Sequence, residues 1–100
     1  MERELSLTKL RLSILAVLPP VPGNGVVKGL GVSAEEVAEA VYDVEEPLWE
    51  QVRKVRVELA RLMQAGWAIR GGETGYPRFL LPQDKYECVY ARWRTQEPVA

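Results

Sequence analysis

Apolar positions in this chain keep a helical period over four stretches and an extended one over two. Between Pro47 and Arg70, Leu48, Val52, Val55, Leu59 and Leu62 recur at steps of four, three, four and three, one stripe of an amphipathic helix. Pro47 is placed to be the first helical residue, where its missing N–H is no loss, and Gly66 to end the run in a left-handed conformation. At about 100° per residue, the opposite face carries Trp49, Arg53, Arg56, Val57, Ala60 and Gln64, with Glu50, Lys54 and Arg61 along one flank. Upstream, Leu7, Leu10, Ile14, Leu15 and Leu18 predict a first helix, N-capped by Ser6 or Thr8 and stopped by Pro19 and Pro20. Ser33 opens SAEEVAEAVYD, a second helix with Val37, Ala40 and Val41 inward and a capping-box pair in Ser33 and Glu36.

The connection between these two helices, PPVPGNGVVKGLGV, holds three prolines and four glycines in fourteen residues, and Val26–Val27 is a candidate short strand within it. After Gly66 the period shortens. Trp67–Arg70 and Pro77–Leu81 read as two strands joined by GGETGY, a hairpin with a loop of several residues and Pro77 at a strand start or edge. Tyr86, Val89, Tyr90 and Trp93 then return to helical spacing, predicting a fourth helix over 84–95. The expected class is mostly α with a small β-hairpin (α+β). It forms one domain over 1–100, with its core in 7–81 and a fraying tail.

Composition narrows the chemistry. With 47% apolar and 27% charged residues and a net charge of −1, nothing global advertises nucleic acid or an anionic membrane. The longest early apolar run, Ile14–Pro20, is too short to span a bilayer, and MERELSLTK does not read as a signal peptide. A lone cysteine, Cys88, makes no internal disulfide, which fits a reducing cytoplasm. There is no histidine, no Cys/His cluster for a metal and no base beside Cys88, which reads as a small buried residue. GNG and GGETG lack the spacing of a phosphate loop. No catalytic residue, cofactor or metal is expected.

The order helix, helix, turn, longer helix, hairpin resembles a winged helix-turn-helix DNA-binding domain. SAEEVAEAVYD resembles that family's second helix, and VRKVRVELARLMQAGWAIR its recognition helix running into the wing. Leu59, Leu62, Ala65, Gly66, Trp67, Ala68, Ile69 and Arg70 stand in the family's register, and YPRFLL resembles the returning wing strand. The likeness covers Leu7–Leu81. It departs in the long first connection and in Trp67, where a smaller aliphatic is usual.

The resemblance implies a small prokaryotic, viral or plasmid-borne regulator that binds double-stranded DNA. Helix 47–65 would enter the major groove through Trp49, Arg53, Lys54, Arg56 and Val57. The wing, 67–81, would place Arg70, Thr74 and Arg78 on phosphate or minor groove. Such a protein would act as a homodimer, for which Tyr86, Val89, Tyr90 and Trp93 are the expected contact; packing on the first helix is the equal alternative.

Two observations pull the other way. Arginines along a helix are commonly a solvated face, and Glu50–Lys54 and Glu58–Arg61 are ordinary helix-supporting pairs. The segment 35–46 holds six acids and no base (Glu35, Glu36, Glu39, Asp43, Glu45 and Glu46), which would repel phosphates. An exposed Trp49 also asks for a cover. The alternative is therefore a protein-binding module that uses Trp49 and this acidic segment.

Overall fold

A computed structural model of the chain describes residues 6–23, 30–73 and 75–96. Four helices and one hairpin follow in the expected order: α1 (Lys9–Val17), α2 (Ala34–Tyr42), α3 (Trp49–Gln64), β1 (Ile69–Glu73), β2 (Tyr76–Leu80) and α4 (Tyr86–Gln96). A 3-10 turn at Gln83–Lys85 leads into α4. The architecture is α+β. Among the described residues, no helix is long and apolar enough to cross a membrane.

Local chemistry sets each boundary. The Thr8 side chain accepts from Arg11 N–H and caps α1, while Ser33 and Glu36 form the reciprocal capping box on α2. Asp43 ends α2 at a positive φ of 53°. Pro47 does not begin α3 as the sequence suggested. Leu48 is extended and donates its N–H to Gln51 Oε1 at 2.8 Å, so the helix starts at Trp49. Gly66 does close α3, with φ +82°; the N–H groups of Gly66 and Trp67 reach back to Met63 O and Leu62 O, a Schellman ending.

Leu12, Ile14 and Leu15 of α1, Val37 and Ala38 of α2, and Val55, Leu59 and Leu62 of α3 interlock in one core, closed by Phe79, Leu81 and Val89. Leu48, expected to head the α3 stripe, is instead 67% exposed, because it stands ahead of the first helical turn. The hairpin is longer than expected. β1 and β2 pair antiparallel from Ile69↔Leu80 to Glu73↔Tyr76, so Gly71 and Gly72 belong to the ladder and only two residues turn the chain. Pro77 stands second in β2, opposite Gly72.

The other edge of β2 takes partners from the α1–α2 connection. Val32 exchanges two hydrogen bonds with Phe79 (2.8 and 3.1 Å), and Leu81 is bridged by Pro19 and Val21 (2.8 and 2.9 Å). The strand expected at Val26–Val27 lies outside the described residues. Gly31 makes this edge possible. Its φ is +102°, and a Cβ there would meet Phe79 O at 2.9 Å and Arg78 Cβ at 3.0 Å.

One carboxylate is buried in the three-helix unit. The Glu58 side chain, 4% exposed, meets Arg11 Nε of α1 at 2.5 Å, Arg61 Nη1 at 3.1 Å and Lys54 Nζ at 3.4 Å. Burial alone would raise its pKa. The hydrogen bonds and charges of Arg11 and Lys54 outweigh burial and hold it below the ordinary 4.5.

Two stability predictions follow from these sites. Gly31→Ala should lower unfolding free energy by at least about 1–3 kcal/mol in urea titration, since no L residue adopts that φ without strain; an unchanged midpoint would show that the edge pairing is dispensable. Glu58→Gln should cost about 3 kcal/mol by leaving Arg11 without its counter-charge. Because the folded-state pKa lies below 4.5, the Glu58 contribution is complete above that pH and is lost as pH falls through the lower folded value. The wild type should therefore lose stability more steeply than the variant below pH 4.5, and parallel curves would contradict the assignment.

Candidate functional site

The packing of α3 decides which of its side chains meet solvent. Val55, Glu58, Leu59 and Leu62 are turned in, and the face with Trp49, Arg53, Arg56, Val57, Ala60 and Gln64 is turned out. Trp49 is 71% exposed, and the Arg53 guanidinium carbon lies 5.5 Å from its ring centroid. This contact orders both side chains on the surface without removing the charge. Val57 is exposed one turn further along the helix.

Lys54 does not pair with Glu50 as its spacing suggested; Glu58 holds it, and Arg61 with it. Arg56 reaches across to α2 and its Nη2 meets Glu35 Oε1 at 2.5 Å. Arg78 of β2 donates from Nη1 to Gly31 O at 3.0 Å and sits 3.6 Å from Glu36 Oε1. Such exposed pairs contribute only about 0–1 kcal/mol each. Arg70 is exposed on β1. Thr74 lies outside the described residues.

Three of the expected contact residues therefore converge. Arg56, Arg70 and Arg78 line one cleft of about 550 Å³ between the start of α2, α3 and the hairpin, together with Glu35 and Glu36. Trp49 lies seven residues from Arg56, about 10 Å along the helix axis, and it belongs to a different neighbourhood. There Val44, Leu48 and Trp49 are exposed apolar residues, interspersed along the chain with the exposed acids Asp43, Glu45, Glu46 and Glu50.

The aromatic residues of α4 separate in the same way. Val89 is buried in the chain's own core and Trp93 packs partly against it, so these two follow the alternative in which α4 lies back on α1. Tyr86 and Tyr90 remain exposed, their rings stacked at 6.2 Å with 9° between planes. Trp67 lies between Lys85 at 4.8 Å and Arg92 at 5.6 Å, tying the α3 ending to the C-terminal segment. The half-buried Cys88 is not the fully buried residue expected, and the described residues hold no group of acids, Cys or His able to bind a metal.

Sequence reasoning missed the role of Glu58. It follows Val55 by three and precedes Leu59, which puts it at the edge of the buried stripe; nothing local identifies Arg11 as its partner. Comparison with protein-family models, with curated proteins and with solved structures finds no match to this chain, so the site is read from its own geometry.

Proposed function

We propose that this chain is a winged helix-turn-helix DNA-binding protein, a small prokaryotic, viral or plasmid-borne regulator of transcription. The observation that carries the reading is the cleft in which Arg56 of α3 and Arg70 and Arg78 of the hairpin stand together. A helix face and a wing then meet one duplex at once. The edge pairing of Val32 with β2 supports it, since it anchors the hairpin to the helical unit rather than leaving it free.

In this reading the outer face of α3 enters the major groove. Arg53 and Arg56 meet the paired acceptors of guanine, and Val57 a thymine methyl. Arg70 and Arg78 contact phosphate or the minor groove and set the angle of approach. Lys54, held by Glu58, contributes less than its sequence position suggests. A two-fold partner would pair through Tyr86 and Tyr90, the two α4 rings that remain outside the core.

A second reading rests on one observation, the exposed Leu48 and Trp49 set among acids along the chain. Such a surface suits a protein partner with an apolar pocket rimmed by basic residues. Salt separates the two readings, because phosphate contacts release counterions and an interface centred on Trp49 does not.

Random-sequence duplex DNA should bind with an affinity that falls steeply between 50 and about 200 mM salt, to a species whose mass in solution is that of a dimer. Arg53→Ala with Arg56→Ala should lose about 100-fold on a duplex selected from a random pool, at two guanine contacts of about 1–3 kcal/mol each, with unfolding unchanged. Binding unaltered by the double substitution would refute the groove assignment. Salt-insensitive or absent binding would favour the protein-partner reading, with Trp49→Ala as its control.

A further inference from the structure

Resting on the DNA-binding reading, we propose that Glu35 and Glu36 form a two-point ionic latch on the arginines of the cleft. The latch keeps Arg56 and Arg78 off the phosphates of random DNA and makes these acids determinants of specificity. Both stand in the first turn of α2, and each faces a different arginine across the cleft: Glu35 faces Arg56 on α3, and Glu36 faces Arg78 on β2. Arg56, Arg70 and Arg78 carry three positive charges and the two carboxylates cancel two of them, leaving one net charge where phosphate would bind.

The latch is built to open. Arg56 is 62% exposed and Glu35 52%, so water and ions screen the pair and the two acceptors of a guanine can take the carboxylate's place. Opening strands neither partner at the second point. Arg78 keeps its hydrogen bond to Gly31 O, and Glu36 keeps Ser33, whose N–H and hydroxyl lie 3.4 and 3.2 Å from its Oε1. Trp49, Arg53 and Val57 stand outside the latch. Base contacts from these residues are unaffected on either kind of DNA. At a specific site the paired acceptors of guanine take Arg56 from Glu35, while a lone phosphate on random DNA leaves the latch closed, so the ratio of specific to non-specific affinity rises.

The test compares the whole chain with Glu35→Gln/Glu36→Gln on a random-sequence duplex across a salt series. Gln at position 36 retains the capping box, since an amide oxygen serves the same N–H, and Glu35→Gln alone offers a variant with α2 capping untouched. Freeing two cations should tighten non-specific binding about tenfold at low salt and steepen the log–log salt slope by about 1–2. Glu35→Gln alone should give about half that change in slope. Glu39→Gln/Asp43→Asn removes the same formal charge from the far end of α2 and its C-cap and should change binding much less.

An equal gain in that control would overturn the latch in favour of net charge. So would a double variant with wild-type affinity and slope, while leaving the DNA-binding reading standing. A wild type that fails to bind beside a double variant that binds with salt sensitivity supports a latch closed at rest. If neither binds at low salt, the DNA-binding reading falls and the latch with it.

Discussion

The carboxylate of Glu58 is where the inward and outward demands on α3 meet. A charge at 4% exposure is tolerable only with close counter-charges, and the three that answer come from two helices. Arg11 crosses from α1, and Lys54 and Arg61 fold in along the α3 flank. The Arg11 contact fixes the rotation of α3 against α1, because a guanidinium aimed at one carboxylate oxygen does not slide along a helix as a leucine can. The same contacts hold Lys54 and Arg61 beside the carboxylate while leaving both about half exposed. Trp49, Arg53, Arg56 and Val57 face outward clear of this group.

A second constraint acts through β2. Its inner edge pairs with β1, and its outer edge with Val32 and with Pro19 and Val21. The hairpin is anchored to the rest of the chain along the outer edge of β2, and Trp67 is held at its root by two cations of the C-terminal segment. An isolated two-stranded hairpin is marginal in water. These additions let Arg70 and Arg78 keep a defined place beside Arg56. Gly31 is the local requirement, since only a residue without a Cβ lets the chain approach β2 closely enough for Val32 to pair.

Much of this was legible in the sequence, for physical reasons that also mark where legibility ended. The α1 and α3 stripes, the capping box at Ser33 and the Gly66 ending are local patterns, and local patterns set the elements; in α2 the buried face is Ala34, Val37 and Ala38, and Ala40, expected inward, is exposed. The hairpin was misjudged because three glycines permit a loop and a ladder equally, and only pairing with Arg78 and Pro77 decides. Leu48 was counted as core because periodicity ignores where a helix starts. Of the site residues, the outward position of Trp49, Arg53, Arg56 and Val57 followed from helical geometry alone. Their partners did not: Glu35 lies 21 residues from Arg56, and Gly31 lies 47 from Arg78. Spacing carries no information about such pairs.

The acidic segment 35–46 looked like a single objection to DNA, and the fold divides it. Glu35 and Glu36 pair with the arginines of the cleft, Arg56 and Arg78. Asp43, Glu45 and Glu46 lie beyond α2, beside the exposed Leu48 and Trp49 and near the start of α3. Glu45 and Glu46 precede the N-terminus of α3, where acids favour the helix dipole, whereas Asp43 caps the C-terminal end of α2, where the dipole does not favour it. All three are interspersed along the chain with exposed apolar residues, which dipoles do not explain. Charge summed over a segment is therefore the wrong quantity for this chain. The useful one is charge per neighbourhood, which gives +1 in the cleft and a negative stretch from Asp43 to Glu50. The Arg53 that stacks over Trp49 marks the boundary between the two neighbourhoods.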